Sequence, residues 1–435
     1  MLRAGPLVFR APHILPNLCP EEQMLGEIIA IGDELTSGRI VNTTSGFAAK
    51  QLFAAGHEIF AMHTIGDTPR LIGEALRRAI GRVDFVIVTG GLGPTSDDLT
   101  TEAVARALDR PPTLNREVLE QIERQLQDTD QSQVQLEKLA WLPEGAQPLN
   151  TDGCMAGYML IHDSTPIFFL PGVPSQMKEL LVNFVLPRLA TWPKNNRNHV
   201  RQRLYRTFGL SEREVNDRLL HLEEDRYVKL GYYPVDSEVH VSLTVLAPSD
   251  SRSEQLFKQR SREIEQALGT YIYGRDHDTM ASVVGDLLMA DNLVLGVAES
   301  CTGGLIGSLV TEVPGSSRWF SGGVIAYSNA LKKDFLHVDQ ELLTSYGAVS
   351  EQVARAMASR LAARTGCDVA LSVTGIAGPG GGSPEKPVGT VYIGLHHRNR
   401  VRATLHRFSG SRREIRNLTA MTALDSVRRA LLHSG

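Results

Sequence analysis

The sequence predicts an α/β protein, with two three-layer α/β/α domains joined by a small α+β middle domain. Strand-forming apolar runs alternate with amphipathic helical patterns over residues 25–189 and again over residues 280–435, which is typical of βαβ units. Two polar segments each follow an apolar run and precede a helical pattern: residues 90–100 (GGLGPTSDDLT) and 299–304 (ESCTGG). Because α/β proteins bind ligands at such strand-to-helix corners, the sequence predicts two separate active sites.

Composition narrows the possible function classes. A chain of 435 residues is too long for one hydrophobic core, and roughly 150 residues per domain suggests about three domains. The formal net charge of -4 argues against a dedicated nucleic-acid binder, so direct nucleic-acid binding is not expected. No apolar stretch approaches the roughly 20 residues that span a bilayer, so no membrane partner is expected.

The cysteine pattern predicts neither a disulfide framework nor a zinc site. The cysteines are widely spaced, without a C-x-x-C pair or a histidine cluster at zinc spacing. They are Cys19, Cys154, Cys301 and Cys367. This usage fits a reducing compartment, and a cytoplasmic location is expected.

The first α/β domain is predicted to span residues 24–192. Its strands are expected at 27–31, 58–64, 84–89 and 166–170, in a parallel sheet, and its helices at 42–55, 69–80, from about 100, and at 175–189. The preceding residues 1–23 contain four prolines and no uninterrupted apolar run, so they do not resemble a signal peptide. They are expected to be a disordered extension ahead of a start at Met24, with a genuine N-terminal arm as the alternative.

The remaining elements divide into two further domains. Residues 192–199 are polar and rich in proline and asparagine, which suits a linker. The middle domain, residues 200–272, has expected strands at 201–207 and 238–245, a helix opening at the capping box 211–214, and a helix at 251–268. It carries no glycine-rich loop or acidic cluster and is interpreted as a spacer. After a polar break at 274–278, the last domain, residues 278–435, has expected helices at 280–289, 304–311, from 350 and from 412, and strands at 293–298, 322–327, 368–374 and 389–395.

The first candidate site lies where three consecutive strands each end in glycine and carboxylates. Glycines after a strand permit positive φ and let a phosphate or ribose approach the backbone. Carboxylates beside such a loop repel an anion unless a divalent cation (Mg, Mn or Co) lies between them, so metal-assisted phosphate chemistry is predicted. The candidate residues are Asp33, Glu34, Asp67, Gly90, Gly91, Gly93, Thr95, Asp97 and Asp98. The alternative is a glycine-rich turn with Asp98 as the N-cap of the next helix.

The second candidate site is built around Ser300. A serine at a strand-to-helix corner exposes its hydroxyl, and the amides of residues 301–303 point to where an oxyanion forms. No histidine lies in residues 298–330, so Lys332 is the candidate base, with Tyr327 nearby at the end of the following strand. In the alternative, Ser300 only caps the helix and Lys332 or Lys333 is a solvated charge. Cys301 is a rival nucleophile without a histidine partner.

A third segment, residues 373–383, is a glycine-rich loop after a strand. Such a loop can wrap a phosphate or ribose with backbone donors, and beside the serine corner it indicates a phosphorylated substrate. The candidate oxyanion and substrate-binding residues are Cys301, Thr302, Gly303, Gly304, Thr374, Gly375, Gly378 and Gly380.

Residues 31–42 (IGDELTSGRIVN), 90–100 and 170–177 (LPGVPSQM) resemble the amino-terminal domain of the CinA family (competence/damage-inducible protein), itself similar to molybdopterin-binding domains. The resemblance implies metal-dependent hydrolysis of ADP-ribose to AMP and ribose 5-phosphate. Asp67 and Asp98 match two aspartates of the molybdopterin-binding relatives, which implies that these two residues are the metal ligands. Two loops depart from the family pattern. Pro-Gly-Val-Pro stands where Pro-Gly-Pro-Pro is usual, and residues 153–157 read GCMAG in place of GTAPG.

Residues 298–304 (AESCTGG), Tyr327 with Lys332, and residues 374–381 (TGIAGPGG) resemble the family's carboxy-terminal domain, a nicotinamide-nucleotide amidohydrolase. The resemblance implies deamidation of nicotinamide mononucleotide to nicotinate mononucleotide and ammonia without a cofactor. It implies that Ser300 attacks the amide carbon, Lys332 is the base and Tyr327 assists. It also implies a homodimer. Two other readings stay open: a non-catalytic pterin- or nucleotide-binding module in the first domain, and an interaction factor in competence or recombination.

Overall fold

The computed structural model describes residues 24–126, 137–150, 157–193 and 199–432. The predictions for residues 1–23, for Cys154 and for most of the linker at 192–199 lie outside the described residues. The chain divides into two compact units, one comprising residues 1–201 with 245–256 and the other residues 202–244 with 257–435. In the described residues no helix is both long and apolar enough to cross a bilayer.

The first unit contains a mixed sheet with helices on both faces. Its strands are β1 (Leu25–Ile31), β2 (Glu58–Ile65), β3 (Phe85–Thr89), β4 (Pro112–Leu114), β5 (Trp141–Pro143), β6 (Gln147–Pro148), β7 (Tyr158–His162) and β8 (Thr165–Leu170). Among the described residues, six strands form the main sheet in the order β2-β1-β3-β8-β7-β6, and β4 pairs with β5 separately. Strands β1, β2, β3 and β8 are parallel, whereas β7 pairs antiparallel with both of its neighbours, β8 and β6.

The prediction of a parallel sheet is therefore wrong at this edge. The β7–β8 hairpin turns at Asp163 and Ser164, both with positive φ (49° and 65°), as tight hairpin turns require. Neither residue is glycine, so the turn was not visible in the sequence.

The helices of this sheet are α1 (Asp33–Thr36), α2 (Thr43–Ala54), α3 (Pro69–Ile80), α4 (Thr100–Ala107), α5 (Arg116–Leu126), α6 (Pro174–Leu180) and α7 (Leu186–Ala190). A π-turn at Leu181–Val185 joins α6 to α7, so the helix expected at 175–189 is one continuous element. Alternate residues of the strands supply two cores, one packed against α3 and α4 and the other against α2 and α6. This is the three-layer α/β/α arrangement that the alternating pattern predicts.

A second sheet follows, with hydrogen-bonded order β10-β11-β9-β12, and β9 and β12 are antiparallel. The strands are β9 (His199–Thr207), β10 (Val228–Val235), β11 (Glu238–Ala247) and β12 (Ile272–Arg275), and the helices are α8 (Glu212–Leu219) and α9 (Asp250–Leu268). Ser211 and Glu214 form the predicted capping box of α8. The sequence missed β10, which has little hydrophobic alternation. It also placed a break at 274–278, where Gly274 and Arg275 in fact belong to β12.

The later domain is a five-stranded sheet among the described residues, in the order β14-β13-β15-β16-β17. Its strands are β13 (Leu295–Glu299), β14 (Phe320–Ile325), β15 (Val369–Gly375), β16 (Thr390–His397) and β17 (Arg400–Arg407). Its helices are α10 (Met280–Ala290), α11 (Leu305–Thr311), α12 (Asn329–Leu336), α13 (Gln340–Tyr346), α14 (Glu351–Thr365) and α15 (Arg412–Leu432). Helices α10 and α15 pack on one face and α14 on the other, which gives a second three-layer arrangement.

Side-chain caps place the helices that border the site. Ser328 accepts a hydrogen bond from the amide of Leu331 and starts α12, and Ser350 does the same for Val353 at the start of α14. Strands β13, β14 and β15 are mutually parallel, so their carboxyl ends lie at one edge of the sheet. The segments after these three strands therefore meet.

Candidate active site

The edge formed by the carboxyl ends of β13, β14 and β15 holds a cavity of about 270 Å³. Ser300 directly follows β13, Lys332 lies on α12 after β14, and Thr374 and Gly375 end β15. The structure thus brings together the three segments of the second candidate site. The lining residues are Ser300, Cys301, Tyr327, Asn329, Lys332, Ala348, Val349, Thr374, Gly375, Ile376, Ala377, Gly378, Gly380, Gly381 and Arg412.

Ser300 and Lys332 contact each other directly. The Lys332 Nζ lies 3.0 Å from Ser300 Oγ, 2.8 Å from the Ala326 carbonyl oxygen and 3.3 Å from the Tyr327 carbonyl oxygen. The lysine side chain is buried, with 1% of the residue exposed. No carboxylate forms an ion pair with it in the described part of the chain. The alternative of Lys332 as a solvated surface charge is therefore wrong, whereas the neighbouring Lys333 is exposed.

Burial lowers the pKa of Lys332 from its ordinary value of 10.5 to about 8. The surroundings suit the uncharged amine, because its two N–H groups can donate to the carbonyl oxygens of Ala326 and Tyr327. Its lone pair then accepts the proton of the Ser300 hydroxyl. This arrangement can remove a proton from Ser300 at mildly alkaline pH.

The turn after Ser300 differs from the prediction at two of its amides. The Gly303 amide donates to the Ser300 carbonyl oxygen (3.1 Å), and the Gly304 amide donates to the Glu299 carboxylate (3.0 Å). The amides of Cys301 and Thr302 have no backbone acceptor within the described residues, although both lie near the Cys301 thiol. Of residues 301–304, Cys301 is the one that lines the cavity. Gly303 and Gly304 have φ of 60° and 92°, so glycine makes this tight turn possible.

The guanidinium of Arg416 holds the other side of this turn. Its Nη2 and Nε donate to the Thr302 carbonyl oxygen at 2.6 and 3.2 Å. Thr302 is itself fully buried. The peptide between Thr302 and Gly303 is therefore fixed in direction, and the serine turn is rigid.

Cys301 is a poor nucleophile in this environment. Burial raises the pKa of its thiol to about 11, and the side chain is 6% exposed. A thiol needs a lowered pKa to react as a thiolate near neutral pH. The geometry therefore favours Ser300 over Cys301. Cys301 and Cys367 are both free thiols.

Tyr327 and Arg412 lie at the mouth of the cavity. The Tyr327 side chain is exposed, and its hydroxyl accepts a hydrogen bond from Arg412 Nη2 at 3.3 Å. Arg412 Nη1 donates to the Gly378 carbonyl oxygen at 2.7 Å. Sequence reasoning missed Arg412, which begins α15 far along the chain and lies in no glycine or serine motif. It adds a positive charge beside the glycine loop.

The glycine loop lines the cavity with its backbone. The hydroxyl of Thr374, a predicted substrate-binding residue, makes a hydrogen bond within the protein. The Thr374 hydroxyl donates to the Ala348 carbonyl oxygen at 2.8 Å, so its proton holds the segment before α14, while the residue still lines the cavity. Gly375 permits close packing, since an added Cβ would lie 2.9 Å from the Thr390 carbonyl oxygen. Gly378 has φ of 79°, and Gly380 has open space where a side chain would be.

The first candidate site brings Asp33 and Asp67 together at the carboxyl ends of β1 and β2. The Asp33 amide donates to the Asp67 carboxylate at 2.8 Å, and the Asp67 amide donates to the Asp33 carboxylate at 3.2 Å. Burial raises the pKa of Asp67, and the negative charges of Asp33, Glu34 and Asp97 add to the effect. These acidic groups therefore repel one another.

The structure contradicts the alternative in which Asp98 caps the next helix. The Asp98 carboxylate accepts hydrogen bonds from the Thr95 amide (3.0 Å) and the Thr95 hydroxyl, within its own loop. The N-cap of α4 is Leu99, so Asp98 does not cap that helix. Lys138 Nζ donates to the Thr95 and Asp98 carbonyl oxygens at 2.6 and 2.8 Å. The described residues contain no group of three or more His, Cys, Asp and Glu side chains arranged to hold a metal ion.

The glycines before this loop allow a close approach of backbone to backbone. Gly90 has φ of 105°, and an added Cβ would lie 2.1 Å from the Ile31 carbonyl oxygen. Gly91 has φ of 66°, and a Cβ added there would lie 2.2 Å from the Thr100 hydroxyl oxygen. With Gly93 and Asp98, Gly91 also lines a cavity of about 510 Å³ bounded by Trp141 and other residues of α4, α5 and β5.

Three protein-family models match consecutive parts of the chain. Residues 27–191 match the model of a probable molybdopterin binding domain, residues 202–274 the damage-inducible protein CinA KH domain, and residues 277–431 the CinA C-terminal domain. A CinA-like protein of Desulfotalea psychrophila is 55% identical over 407 residues, covering 93% of this chain and 98% of the relative. A CinA-like protein of Citrifermentans bemidjiense is 40% identical over 408 residues, covering 93% and 97%.

A solved structure, that of the competence/damage inducible protein CihA from Agrobacterium tumefaciens, is 42% identical, with a TM-score of 0.34. The match covers 36% of this chain and 97% of that chain. The three family models and the two relatives of 55% and 40% identity show the family. The chain belongs to the CinA family.

Proposed function

We propose that the later domain deamidates nicotinamide mononucleotide to nicotinate mononucleotide and ammonia. The observation that carries the proposal is the buried Lys332 amine, 3.0 Å from the Ser300 hydroxyl oxygen and without an acidic partner in the described residues. A serine hydroxyl needs an adjacent base to act as a nucleophile, and this amine meets that need.

The proposed reaction has two halves that use side chains, backbone amides and water. Ser300 Oγ attacks the carboxamide carbon while its proton passes to Lys332, and the amides of Cys301 and Thr302 stabilise the oxyanion. The Lys332 ammonium then protonates the leaving nitrogen, which departs as ammonia, and leaves an ester on Ser300. Water attacks the ester with Lys332 again as base. Cleavage of the ester bond releases the carboxylate and restores the serine hydroxyl.

The substrate class follows from the charge at the cavity mouth. Arg412 contacts the glycine loop at Gly378, and a guanidinium beside exposed backbone amides suits a phosphate. The apolar side chains of Val349 and Ala377 line the same cavity, as an aromatic ring requires. Nicotinamide mononucleotide has a carboxamide, an aromatic ring and a phosphate in one molecule.

The test is ammonia release by the purified protein as a function of pH. The base must be uncharged, so activity rises as Lys332 loses its proton and levels off above its pKa of about 8. We expect kcat/KM to rise roughly fivefold between pH 7 and pH 8, where the substrate phosphate, which titrates near pH 6, is already ionised. A profile that is flat from pH 7 to pH 9, or that keeps rising past pH 10, would contradict Lys332 as the base.

We also propose that the amino-terminal domain hydrolyses ADP-ribose to AMP and ribose 5-phosphate with a divalent metal (Mg, Mn or Co). The supporting observation is the pair of Asp33 and Asp67 carboxylates beside a glycine loop, each accepting a hydrogen bond from the other residue's amide, with the pKa of Asp67 raised by burial and by the negative charges around it. Magnesium is commonly held by one or two carboxylates together with substrate phosphates, so the absence of a three-residue cluster in the described residues is compatible with it. The ion would neutralise the phosphate oxygens.

Incubation with ADP-ribose and each metal in turn tests this second activity. We expect AMP to form with metal and not with EDTA, and D67N to lower the rate at least about tenfold. D163N, in the exposed β7–β8 turn, is the matched control and should keep the wild-type rate. If ADP-ribose binds and stays intact with every metal, the domain is a nucleotide-binding module.

Direct nucleic-acid binding is still not expected, although the middle domain matches a KH domain model. KH domains clamp a nucleic-acid backbone with a Gly-X-X-Gly loop. Here the segment after α8, Leu220–Glu224, reads LHLEE, with no glycine and two carboxylates. A salt-sensitive gel shift with this protein would contradict the expectation and support a role in DNA uptake or recombination.

A further inference from the structure

Glu299, the last residue of β13, directs its carboxylate under the serine turn. The carboxylate accepts hydrogen bonds from the amides of Gly304 (3.0 Å), Ile306 (3.1 Å) and Gly307 (2.8 Å). Only 2% of the residue is exposed. A buried carboxylate needs such partners, and this one finds them among the first amides of α11.

This contact fills the amino-terminal end of α11. Helix amino-termini after a strand often bind a ligand's phosphate through their free amides. In this chain a protein carboxylate takes those amides, so a substrate phosphate has to bind elsewhere in the cavity. Glu299 therefore contacts the protein backbone of the site and not the substrate.

Glu299 also supports the base through its main chain. Its carbonyl oxygen accepts a hydrogen bond from the Ala326 amide at 2.8 Å, and the Ala326 carbonyl oxygen accepts one from Lys332 Nζ at 2.8 Å. The side chain orders the segment that follows Ser300, and the main chain orders the segment that holds Lys332. One residue thus links the two groups that react.

We propose that Glu299 is a positioning residue, which holds Ser300 and the amides of Cys301 and Thr302 in the geometry that nucleophilic attack requires. The inference rests on the proposed Ser300 chemistry. Glutamine has nearly the same shape, but its NH₂ group would face a backbone N–H at one or two of the three contacts. E299Q should therefore loosen the turn without emptying the space that Glu299 occupies.

The test compares E299Q with E312Q, an exposed glutamate at the C-cap of the same helix. Two rates are measured: ammonia release from nicotinamide mononucleotide, and covalent labelling of Ser300 by a fluorophosphonate probe, followed by intact mass with S300A as the blank. We expect E299Q to lower kcat and the labelling rate by roughly 10- to 100-fold, with KM changed less than about threefold. E312Q should match the wild type in kcat, in KM and in the labelling rate.

The two readouts separate this proposal from the proposed function. A wild-type protein that is labelled at Ser300 but releases no ammonia disproves the substrate and still tests Glu299 through labelling. E299Q that labels and turns over at the wild-type rate overturns the positioning role, and a wild type inert in both assays overturns both ideas. If E299Q melts below the assay temperature, the labelling rate of E299D is measured in its place. Its shorter carboxylate keeps the charge but does not reach all three amides, so wild-type labelling in E299D also overturns the proposal.

Discussion

S300A is expected to lower kcat for ammonia release by a factor of at least about 10⁴, because the acyl-enzyme cannot form without the hydroxyl. The side chain is small and its one side-chain hydrogen bond among the described residues is with Lys332, so the free energy of unfolding should change by less than about 1 kcal/mol. Steady-state ammonia release and thermal unfolding measure the two effects.

S308A is the matched control, since Ser308 is exposed on α11 close to the reacting serine. It should keep wild-type activity. If S300A keeps its activity and C301A loses it, the nucleophile is the Cys301 thiol and not Ser300. The raised pKa of Cys301 argues against that outcome.

K332M is expected to abolish activity and stabilise the protein at the same time. The general base is lost, which should lower kcat by a factor of about 10³ or more. Methionine is an unbranched apolar side chain that fits the buried space, and it removes an amine without an acidic partner in the described residues. We expect the free energy of unfolding at pH 7 to rise by roughly 1 kcal/mol.

The pH dependence of stability gives an independent check on K332M. Because the pKa of Lys332 is lowered in the folded protein, the unfolded chain binds the extra proton between about pH 8 and its ordinary value of 10.5. The free energy of unfolding of the wild type therefore rises with pH through that window because of Lys332, whereas that of K332M lacks this rise. K333M, at the exposed neighbouring position, should leave both activity and its pH profile unchanged. Wild-type ammonia release by K332M would exclude Lys332 from the mechanism.

Most of the fold was predictable because it depends on local patterns. The helix over residues 69–80 was predicted at its observed bounds, since Pro69 opens it and its apolar residues recur at helical spacing. The strands that were missed, such as β10 and β17, bury few of their side chains and are held by their neighbours in the sheet. Their stability comes from pairing between strands, which no single segment shows.

The sequence by itself determined the two α/β domains, the family resemblance and the identity of Ser300 and Lys332 as candidates. It could do so because strands that end at one sheet edge bring their following residues together, whatever the side-chain details. Only the tertiary structure decided that Lys332 is buried against Ser300, that Asp98 turns to Thr95, and that Arg412 reaches the Gly378 carbonyl oxygen. These contacts depend on the direction in which each side chain leaves the backbone and on how far it is removed from water. Both are properties of the packed domain, because they arise between residues that the chain order separates.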